Sequence, residues 1–357
     1  MNFDLLYISW DVSPALYEGF ITLRYYSLFF AISFLVGFQL VKRMYANEGA
    51  APEWMDKLLV YAVVGTIVGA RLGHVFFYDW EYYSENLIEI PMVWKGGLAS
   101  HGAAIALIIA MWIFSRKITK KHTLWSLDKL VIAVALASGF IRMGNLMNSE
   151  IVGQKTESDL AIFYENKAQH QISSFFRGNS DDIYFVTTQE DTLIEDFRYP
   201  KALLSFPLNA NQNISEIAEH YSNAFASSFP LEKVDKEADF FTGDFSKNYQ
   251  LSKLNELRIP IYIIPRVPTQ LYEALSYWLI FLILFWGYWK QKWYLYEGRL
   301  FGVFLVLLFT SRFVVEFFKE HQTLADSSAL TMGQYLSIPL VLVGLYFWIK
   351  SKRIDTN

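Results

Sequence analysis

The stretch GFIRMGNLMNSEIVG, residues Gly139–Gly153, is where strongly polar side chains interrupt an otherwise apolar run. Arg142, Asn145 and Asn148 follow one another at intervals of three residues, so on a helix they fan across one side. A guanidinium at membrane depth costs several kcal/mol unless it is paired, hydrated or turned toward a protein cavity. The stretch therefore predicts a polar functional pocket at the end of a membrane helix; a purely structural polar network is the alternative.

The composition of the whole chain supports a membrane setting for that helix. Of the 357 residues, 53% are hydrophobic and 18% are aromatic, and many aromatic residues fall at the ends of apolar runs, where headgroups would lie. The chain contains no cysteine, which excludes disulfides, thiolate metal sites and a cysteine nucleophile of its own. A reacting thiol would therefore have to belong to a substrate.

Seven apolar stretches are long enough to cross a bilayer core, which needs about 20 residues. Together they predict an all-α polytopic membrane protein. The N-terminal residues before the first stretch lack the basic region of a cleavable signal, so they predict a surface segment. The predicted spans are Leu23–Val41, Leu58–Tyr78, Gly97–Phe114, Leu127–Met147, Leu271–Trp289, Leu300–Phe318 and Gly333–Ile349.

Charges in the loops predict the orientation of these spans. Lysine and arginine follow spans one, three, five and seven, which places those loops in the cytoplasm. The alternate loops, such as Tyr78–Pro91, are acidic or neutral and would face outward. The N-terminus is therefore predicted outside and the C-terminus inside.

The chain divides into three predicted regions. Residues 1–153 hold the N-terminal surface segment and helices one to four, and residues 263–357 hold helices five to seven and a short tail. Residues 154–262 are polar and form an external insertion of mixed α/β structure. DDIYFVTT at 181–188 alternates like a strand, and ISEIAEHYSNAF at 214–225 is patterned like an amphipathic helix.

Two features of span two point in different directions. Gly65, Gly69 and Gly73 recur every fourth residue and predict close helix packing. On another face, Arg71 and Tyr78 flank His74 at helical spacing and could bind an anionic group. The alternative for Arg71 is an arginine that extends to the membrane interface.

The start of span three carries the histidine His101 after Gly96 and Gly97, in the sequence WKGGLASHG. Glycines there permit positive φ and close backbone approach. Histidine can take a proton near neutral pH, which makes His101 a candidate base. The alternative is a histidine whose hydrogen bonds join two helices.

The start of span five carries Arg266 between two prolines, in PRVPTQLYEA at residues 265–274. Pro268 can begin a helix, and Thr269 and Gln270 can cap it or contact a ligand. An arginine beside a helix start suits an anion, although an interfacial arginine is the alternative. Further along, Arg312 and Glu316 are spaced as an ion pair, and Thr331 begins a predicted cap of span seven.

Separated blocks of the chain together resemble the bacterial prolipoprotein diacylglyceryl transferases. Their order, their spacing and the seven-span topology all match, and only the insertion and the extreme N-terminus fall outside. The blocks are RYYSLFF at Arg24–Phe30, GARLGHVFFY at Gly69–Tyr78, WKGGLASHG at Trp94–Gly102, IRMGNLMNSEIVG at Ile141–Gly153, PRVPTQLYEA at Pro265–Ala274, SRFVVEFFKE at Ser311–Glu320 and TMGQYLSIP at Thr331–Pro339.

The resemblance implies transfer of the diacylglyceryl group of phosphatidylglycerol to a lipobox cysteine of a preprolipoprotein, with glycerol phosphate released. It implies a multi-pass enzyme of the bacterial inner membrane whose active site lies toward the outer side. Phosphatidylglycerol, the lipobox peptide and membrane lipid are the implied partners, with no cofactor, metal or nucleic acid. The candidate catalytic residues are Arg142, Arg266 and His101. The candidate substrate-binding residues are Tyr26, Arg71, Tyr78, Asn145, Asn148, Glu150, Gly153 and Gln270.

The chain departs from the family pattern at several positions. The family usually has HGG where this chain has His101-Gly102-Ala103, glycine at Ile141, and histidine at Val267. It also has NGE where this chain has Asn148-Ser149-Glu150. The charged groups are kept. Two other classes of protein fit the same polar residues: a carrier of an anionic lipid or solute, and a membrane scaffold that binds partners through its insertion.

Overall fold

The computed structural model describes residues 7–19, 22–173, 184–194, 196–207, 240–242, 250–251, 256–319 and 330–353, with positions 216, 219 and 223. The chain divides into two compact units. The first contains Met1–Phe29, Ile141–Ala274 and Phe313–Tyr335. The second contains Phe30–Phe140, Leu275–Arg312 and Leu336–Asn357.

Seven helices of the described chain are long and apolar enough to cross a membrane, which confirms the predicted number of spans. The third is prolonged by a π-helical turn to Thr119, and the sixth by a 3-10 turn to Phe318. The helices are α1 (Tyr25–Asn47), α2 (Glu53–Phe77), α4 (Ser100–Phe114), α5 (Thr123–Met147), α7 (Thr269–Trp289), α8 (Arg299–Val315) and α9 (Met332–Lys350); the described residues also form the short helices α3 (Trp80–Glu85) and α6 (Glu165–Ser173).

Within the second unit, α2 and α4 pack backbone against backbone along the predicted glycine stripe. A Cβ added to Gly65 would lie 2.9 Å from the Cβ of Ala110, and one added to Gly73 would lie 2.7 Å from the Cα of Gly102. Gly69 faces Ala106 at similarly close range. The stripe is therefore a packing surface, as predicted, and it fixes the start of α4, where His101 lies.

The second unit also buries an ion pair that the sequence patterns did not predict. Lys129 Nζ lies 3.0 Å from Glu48 Oε2, and the two side chains are only 1% and 10% exposed. Trp125 Nε1 donates a hydrogen bond to the same carboxylate at 2.6 Å, and the Tyr288 hydroxyl donates to its other oxygen at 2.9 Å. This polar network joins α1, α5 and α7, whose surrounding side chains are apolar.

The first unit contains a sheet built from the insertion. Its strands are β5 (Tyr184–Ile194), β6 (Phe197–Pro207), β7 (Phe241–Thr242), β8 (Gln250–Leu251) and β9 (Glu256–Ile263). The order is β5-β6-β9-β7, with β8 also paired to β9, and every pairing is antiparallel. The predicted strand at 181–188 is confirmed from residue 184 onward. The helix predicted at 214–225 falls almost entirely outside the described residues.

The N-terminal segment is joined to the insertion at its start, although most of its described residues are exposed or partly exposed. Strand β1 (Ile8–Trp10) pairs in parallel with β4 (Ile162–Tyr164), and Tyr7 is 4% exposed. The ring of Tyr7 meets Phe163 edge-on, inside the apolar core of the first unit. Another two-stranded sheet, β2 (Ala15–Tyr17) with β3 (Leu23–Arg24), leads into α1. Tyr7 is buried in that core and Trp10 packs against it, whereas Ile8, Leu16 and Tyr17 are exposed.

The ends of α8 and α9 depart from one prediction and confirm another. Glu316 was predicted to pair with Arg312, but α8 ends at Val315, before Glu316. The Glu316 carboxylate instead lies 3.6 Å from Lys319 Nζ. At the start of α9, Thr331 Oγ1 accepts from the Gln334 amide while Gln334 Oε1 accepts from the Thr331 amide. The predicted cap is thus a reciprocal capping box.

Candidate active site

The end of α5 carries a network of polar side chains at the residues where the sequence predicts a polar pocket. Arg142 Nη1 donates to Asn145 Oδ1 at 3.1 Å, and Asn145 Nδ2 donates to Glu150 Oε2 at 3.3 Å. Asn145 is 6% exposed and the Arg142 side chain is 16% exposed. Asn145 therefore links the guanidinium to the carboxylate, with each end of its amide used once.

The turn after α5 has an unusual backbone. Ser149 and Ile151 have φ angles of 54° and 57°, a left-handed conformation that residues with a Cβ rarely adopt. The position that resembles a family glycine, Ser149, is thus one of two where glycine would relieve strain. The buried hydroxyl of Ser149 and the buried Oδ1 of Asn148 make no hydrogen bond within the described structure. Glu150 lies between the two strained residues and is exposed.

The first turn of α7 holds this strained turn in place. Thr269 Oγ1 donates to the Ile151 carbonyl at 2.8 Å, and Gln270 Nε2 donates to the Glu150 carbonyl at 2.6 Å. Gln270 Oε1 in turn accepts from the Tyr164 hydroxyl at 3.0 Å, where burial raises the pKa of that tyrosine. Gln270, a predicted substrate contact, is 0% exposed. One end of its amide thus holds the turn and the other holds Tyr164 of β4, so both are engaged within the protein.

Gly153, another predicted substrate contact, also has a packing position. Its amide donates to the Val267 carbonyl at 2.9 Å. A Cβ there would lie 2.6 Å from the Phe318 carbonyl oxygen and 2.7 Å from the Thr269 methyl carbon. A side chain at this point would push apart the segments that hold the turn.

Arg266 is held by its backbone as well as by its side chain. Its amide donates to the Ile162 carbonyl and its carbonyl accepts from the Ile162 amide, both at 2.9 Å. The side chain is 2% exposed, Nη1 donates to the Gly153 carbonyl at 3.4 Å, and the guanidinium lies 5.7 Å from the centre of the Phe240 ring. Its burial contradicts the alternative of an interfacial arginine. Arg142 and Arg266 both contact the 145–153 segment.

Glu273 is the counter-charge that the sequence patterns did not assign. Its carboxylate is 0% exposed, with Oε2 2.7 Å from Arg142 Nε and Oε1 2.9 Å from Lys319 Nζ. A buried carboxylate needs such cations to offset its lost hydration. The signal available in the sequence was an acidic residue one turn inside an apolar helix that begins beside Arg266.

Tyr26 borders the same pocket from the first turn of α1. A Cβ added to Gly144 would lie 2.7 Å from its Cδ2 atom, so the missing side chain at Gly144 makes room for the ring. Tyr26 also lies within electrostatic range of Arg142 and Glu150. The first unit thus brings together Tyr26, Arg142, Asn145, Asn148, Glu150, Gly153, Arg266 and Gln270.

Arg71, in the second unit, anchors the loop between α2 and α4. Its Nε donates to the Ile90 carbonyl at 2.7 Å, Nη2 to the Glu89 carbonyl at 2.7 Å, and Nη1 to the Gly96 carbonyl at 2.5 Å. The guanidinium also lies 4.8 Å from the centre of the Tyr83 ring. Arg71 is 2% exposed, which contradicts an arginine that reaches the interface, and most of its donors are occupied by the loop.

The same loop contains a carboxylate with a depressed pKa. Lys95 Nζ donates to Glu89 Oε1 at 2.6 Å, and the Tyr82 hydroxyl donates to Oε2 at 3.0 Å. These hydrogen bonds, that of Lys95 foremost, hold the pKa of Glu89 below its ordinary value. Gly96 and Gly97 have φ angles of 86° and 71°, so the backbone freedom predicted for these glycines is used.

His101 and Tyr78 are both exposed residues of the second unit. Tyr78 is 64% exposed and stacks on His74 with ring centres 6.1 Å apart. His101 makes no hydrogen bond or ion pair with any described residue. The alternative of a histidine that joins two helices therefore does not hold within the described structure, and the imidazole is open to an external group.

Comparisons with known proteins agree over nearly the whole chain. A sequence profile described as prolipoprotein diacylglyceryl transferase matches residues 14–350. A protein of Tolumonas auensis is 32% identical over 346 residues, which cover 96% of this chain and 97% of the relative. One of Porphyromonas gingivalis is 33% identical over 355 residues, 97% of this chain and 95% of the relative. Both are named phosphatidylglycerol–prolipoprotein diacylglyceryl transferase.

Proposed function

The chain belongs to the prolipoprotein diacylglyceryl transferase family, and from that premise we propose which of its residues carry the reaction. The protein is a multi-pass membrane transferase. It moves the diacylglyceryl group of phosphatidylglycerol onto the lipobox cysteine of a preprolipoprotein. Sulfur attacks the glycerol carbon, the carbon–oxygen bond to phosphate breaks, and glycerol phosphate leaves as the thioether forms.

The arrangement of Arg142 supports a role at the leaving phosphate. One edge of its guanidinium is held, through Nε by Glu273 and through Nη1 by Asn145. Its Nη2 group makes no hydrogen bond with another described residue, so two donors remain for an anion. A guanidinium oriented in advance stabilises charge that develops on phosphate oxygens. We assign the second cationic role to Arg266, which the 145–153 segment links to Arg142.

His101 remains the proposed base for the substrate thiol. A cysteine thiol has a pKa near 8.5, so a base or nearby positive charge is needed to raise the thiolate fraction at neutral pH. The exposed imidazole of His101 has no partner among the described residues and is able to accept that proton. Tyr26, Asn145, Asn148 and Glu150 are proposed to contact the lipid headgroup. Arg71, Gly153 and Gln270 are assigned supporting positions, and Tyr78 remains a proposed substrate contact.

An adduct assay tests the reaction. Purified protein is incubated with phosphatidylglycerol and a lipobox peptide, and mass spectrometry is used to find the peptide carrying a diacylglyceryl group. We expect the adduct with the cysteine peptide and none with its Cys-to-Ser counterpart. Equal reaction of the serine peptide contradicts thiol attack. Movement of phosphatidylglycerol between leaflets of a liposome without any adduct favours the carrier.

Substitution of the two arginines tests the proposed site. Arg142→Ala and Arg266→Ala should each lower the rate by about 100-fold to 1,000-fold, because each removes a preorganised donor to the leaving phosphate. Arg198→Ala is the matched control, since Arg198 is 54% exposed and pairs with Asp191 at 3.6 Å in the sheet. Full activity of folded Arg142→Ala or Arg266→Ala removes that residue from the proposal.

We also propose the orientation that the loop charges predict. The N-terminus lies outside, the C-terminus lies inside, and residues 154–262 form an external domain between helices four and five in the bacterial inner membrane. The active site then faces outward. Single cysteines introduced at exposed positions Lys201 and Lys120 distinguish this orientation, since in intact cells only the first should react with an impermeant thiol reagent. The opposite labelling pattern overturns the orientation.

A further inference from the structure

Lys319 contacts the proposed catalytic arginine through a shared carboxylate. Glu273 Oε1 lies 2.9 Å from Lys319 Nζ, and Glu273 Oε2 lies 2.7 Å from Arg142 Nε. Each oxygen of one fully buried carboxylate thus faces its own cation. Neither Lys319 nor Glu273 was among the residues that the sequence analysis assigned to the site.

The backbone around Lys319 is fixed to the segment that carries the other site residues. Its carbonyl accepts from Gln154 Nε2 at 2.8 Å, and the Gln154 amide donates to the neighbouring Phe318 carbonyl at 2.9 Å. Lys319 also forms an antiparallel bridge with Gly153. Its side chain is 13% exposed, so the ammonium group is confined beside Glu273.

The charges explain why a second cation is needed there. If Glu273 faced Arg142 alone, the pair would be neutral and a phosphate would have to displace the carboxylate to bind. With Lys319 on the other oxygen, the three groups carry a net positive charge, and Glu273 can orient Arg142 without cancelling its attraction for phosphate. Glu316 Oε2 also lies 3.6 Å from Lys319 Nζ, so with Glu316 included the four groups are formally neutral. The closer contact of Lys319 with Glu273, at 2.9 Å, is the one that offsets the carboxylate facing Arg142.

We infer that Lys319 is a positioning residue for Arg142: it neutralises Glu273 and so keeps the guanidinium available to the phosphate of the donor lipid. The inference rests on the proposed function. It assigns Lys319 no contact with the substrate. Glu273 has two effects on Arg142: it orients the guanidinium, and its negative charge reduces the positive charge of the site. Lys319 offsets the second effect and leaves the first.

The test uses the full-length protein and the adduct assay, with KM for phosphatidylglycerol measured separately from kcat. Lys319→Met should raise that KM about tenfold, because an unscreened carboxylate now cancels Arg142. Lys319→Arg should keep KM within about threefold of the unaltered protein, since the charge is retained. Lys201→Met is the matched control, because Lys201 pairs with Glu190 at 3.3 Å in the sheet.

The double variant Lys319→Met/Glu273→Gln distinguishes this role from a structural one. Removing both charges should return KM toward the original value, although kcat should stay low because Arg142 has lost the carboxylate that orients it. Glu273→Gln alone should lower kcat without raising KM. A purely structural role predicts no such rescue, because each added substitution would only lower the folded fraction.

The outcomes are distinct. An unchanged KM in folded Lys319→Met, or a double variant with the same raised KM as Lys319→Met, overturns the inference while the transferase reaction stands. If Lys319→Met does not accumulate, Glu273→Gln decides, and a raised KM in that variant overturns the inference. Absence of adduct with the unaltered protein contradicts the proposed function itself.

Discussion

Ser149 shows how strain is placed beside the reacting groups. Its φ of 54°, like that of Ile151, would suit glycine better than a residue with a Cβ. Hydrogen bonds from Thr269 and Gln270 to the carbonyls of Ile151 and Glu150 hold the turn in this conformation. The stability of the surrounding segment therefore maintains a backbone that the local sequence disfavours.

Substitution of Ser149 by glycine tests that strain. Ser149→Gly should stabilise the protein by about 1 kcal/mol, because glycine tolerates left-handed φ and the lost hydroxyl has no partner among the described residues. Ser138→Gly, within α5, should destabilise by about 1 kcal/mol, since it adds flexibility inside a helix. Thermal unfolding in detergent measures both. A loss of stability in Ser149→Gly would contradict the interpretation that the backbone at Ser149 is strained.

At single residues, the sequence indicated candidate side chains such as Arg142, but it did not indicate the residues that these side chains contact. The cost of a guanidinium in an apolar helix identified Arg142, but its counter-charge Glu273 comes from another helix. Gln270 and Gly153 lie in blocks that resemble the family, and both contact segments around the turn, while their contact with substrate stays a prediction. Pairing between distant helices depends on tertiary packing, which helical periodicity in one sequence does not encode.

At the scale of elements, the Glu48–Lys129 pair joins helices whose other contacts are mostly apolar. Both groups are nearly buried, and three hydrogen-bonding side chains surround the carboxylate. Lys129→Met or Glu48→Gln should each cost about 3–5 kcal/mol, because each leaves one charge or its partners buried without compensation. The double variant should cost less than the sum.

Unfolding in denaturant, monitored by tryptophan fluorescence, measures this coupling. The exposed pair of Lys201 with Glu190 is the control, since its side chains are 35% and 72% exposed. Such surface pairs contribute about 0–1 kcal/mol. Additive losses in the Glu48 and Lys129 double variant would mean that the two side chains stabilise the helices independently.

The seven apolar helices were predictable because hydrophobic length is a local property. Some of their boundaries moved outward, to Asn47 in α1 and to Glu53 in α2, because charged residues at these ends continue the helix beyond the apolar core. Others moved inward, to Tyr25 in α1 and to Ser100 in α4. The glycine stripe of α2 was also readable, since residues four apart face one way. The Glu48–Lys129 pair was not, because its partners lie 81 residues apart.

At the scale of the whole molecule, the partly buried carboxylate of Glu165 couples the N-terminal strand to the insertion. Ser9 Oγ donates to Glu165 Oε2 at 2.9 Å, and burial, with the nearby charge of Asp11, raises the pKa of Glu165. Folding therefore favours the protonated form of Glu165 more than the unfolded chain does. The stability that this protonated carboxyl contributes is complete below the unfolded pKa of about 4.3 and is lost as the pH rises through the raised pKa.

Hydrogen exchange at the Ile8 amide, which donates to the Ala161 carbonyl at 2.8 Å, reports on this coupling. The free energy of local opening, corrected for intrinsic exchange, should fall as the pH rises through that range. Glu165→Gln should remove this part of the pH dependence, whereas Glu190→Gln, at a 72% exposed side chain, should not. The same pH profile in Glu165→Gln and the unaltered protein would contradict the assignment.

The polar insertion was recognisable as a separate region from its composition alone, but its boundary was not. Strand β1 pairs with β4 although more than 150 residues separate Ile8 from Ile162 in the chain. A three-residue strand gives too short a pattern to be distinguished from a surface segment. Strand pairing at that separation depends on tertiary packing, which a local sequence pattern does not reveal.

The position of Lys319 late in the chain has a consequence for biosynthesis. The ribosome completes Arg142 first, Glu273 next and Lys319 last, and the two earlier residues form a neutral pair on their own. If Lys319 has the role inferred above, a nascent chain that has not yet delivered residue 319 lacks the charge that keeps Arg142 attractive to phosphate. Synthesis order would keep the unfinished protein from capturing the anionic lipids around it, and the site would become competent only as the last helix is made.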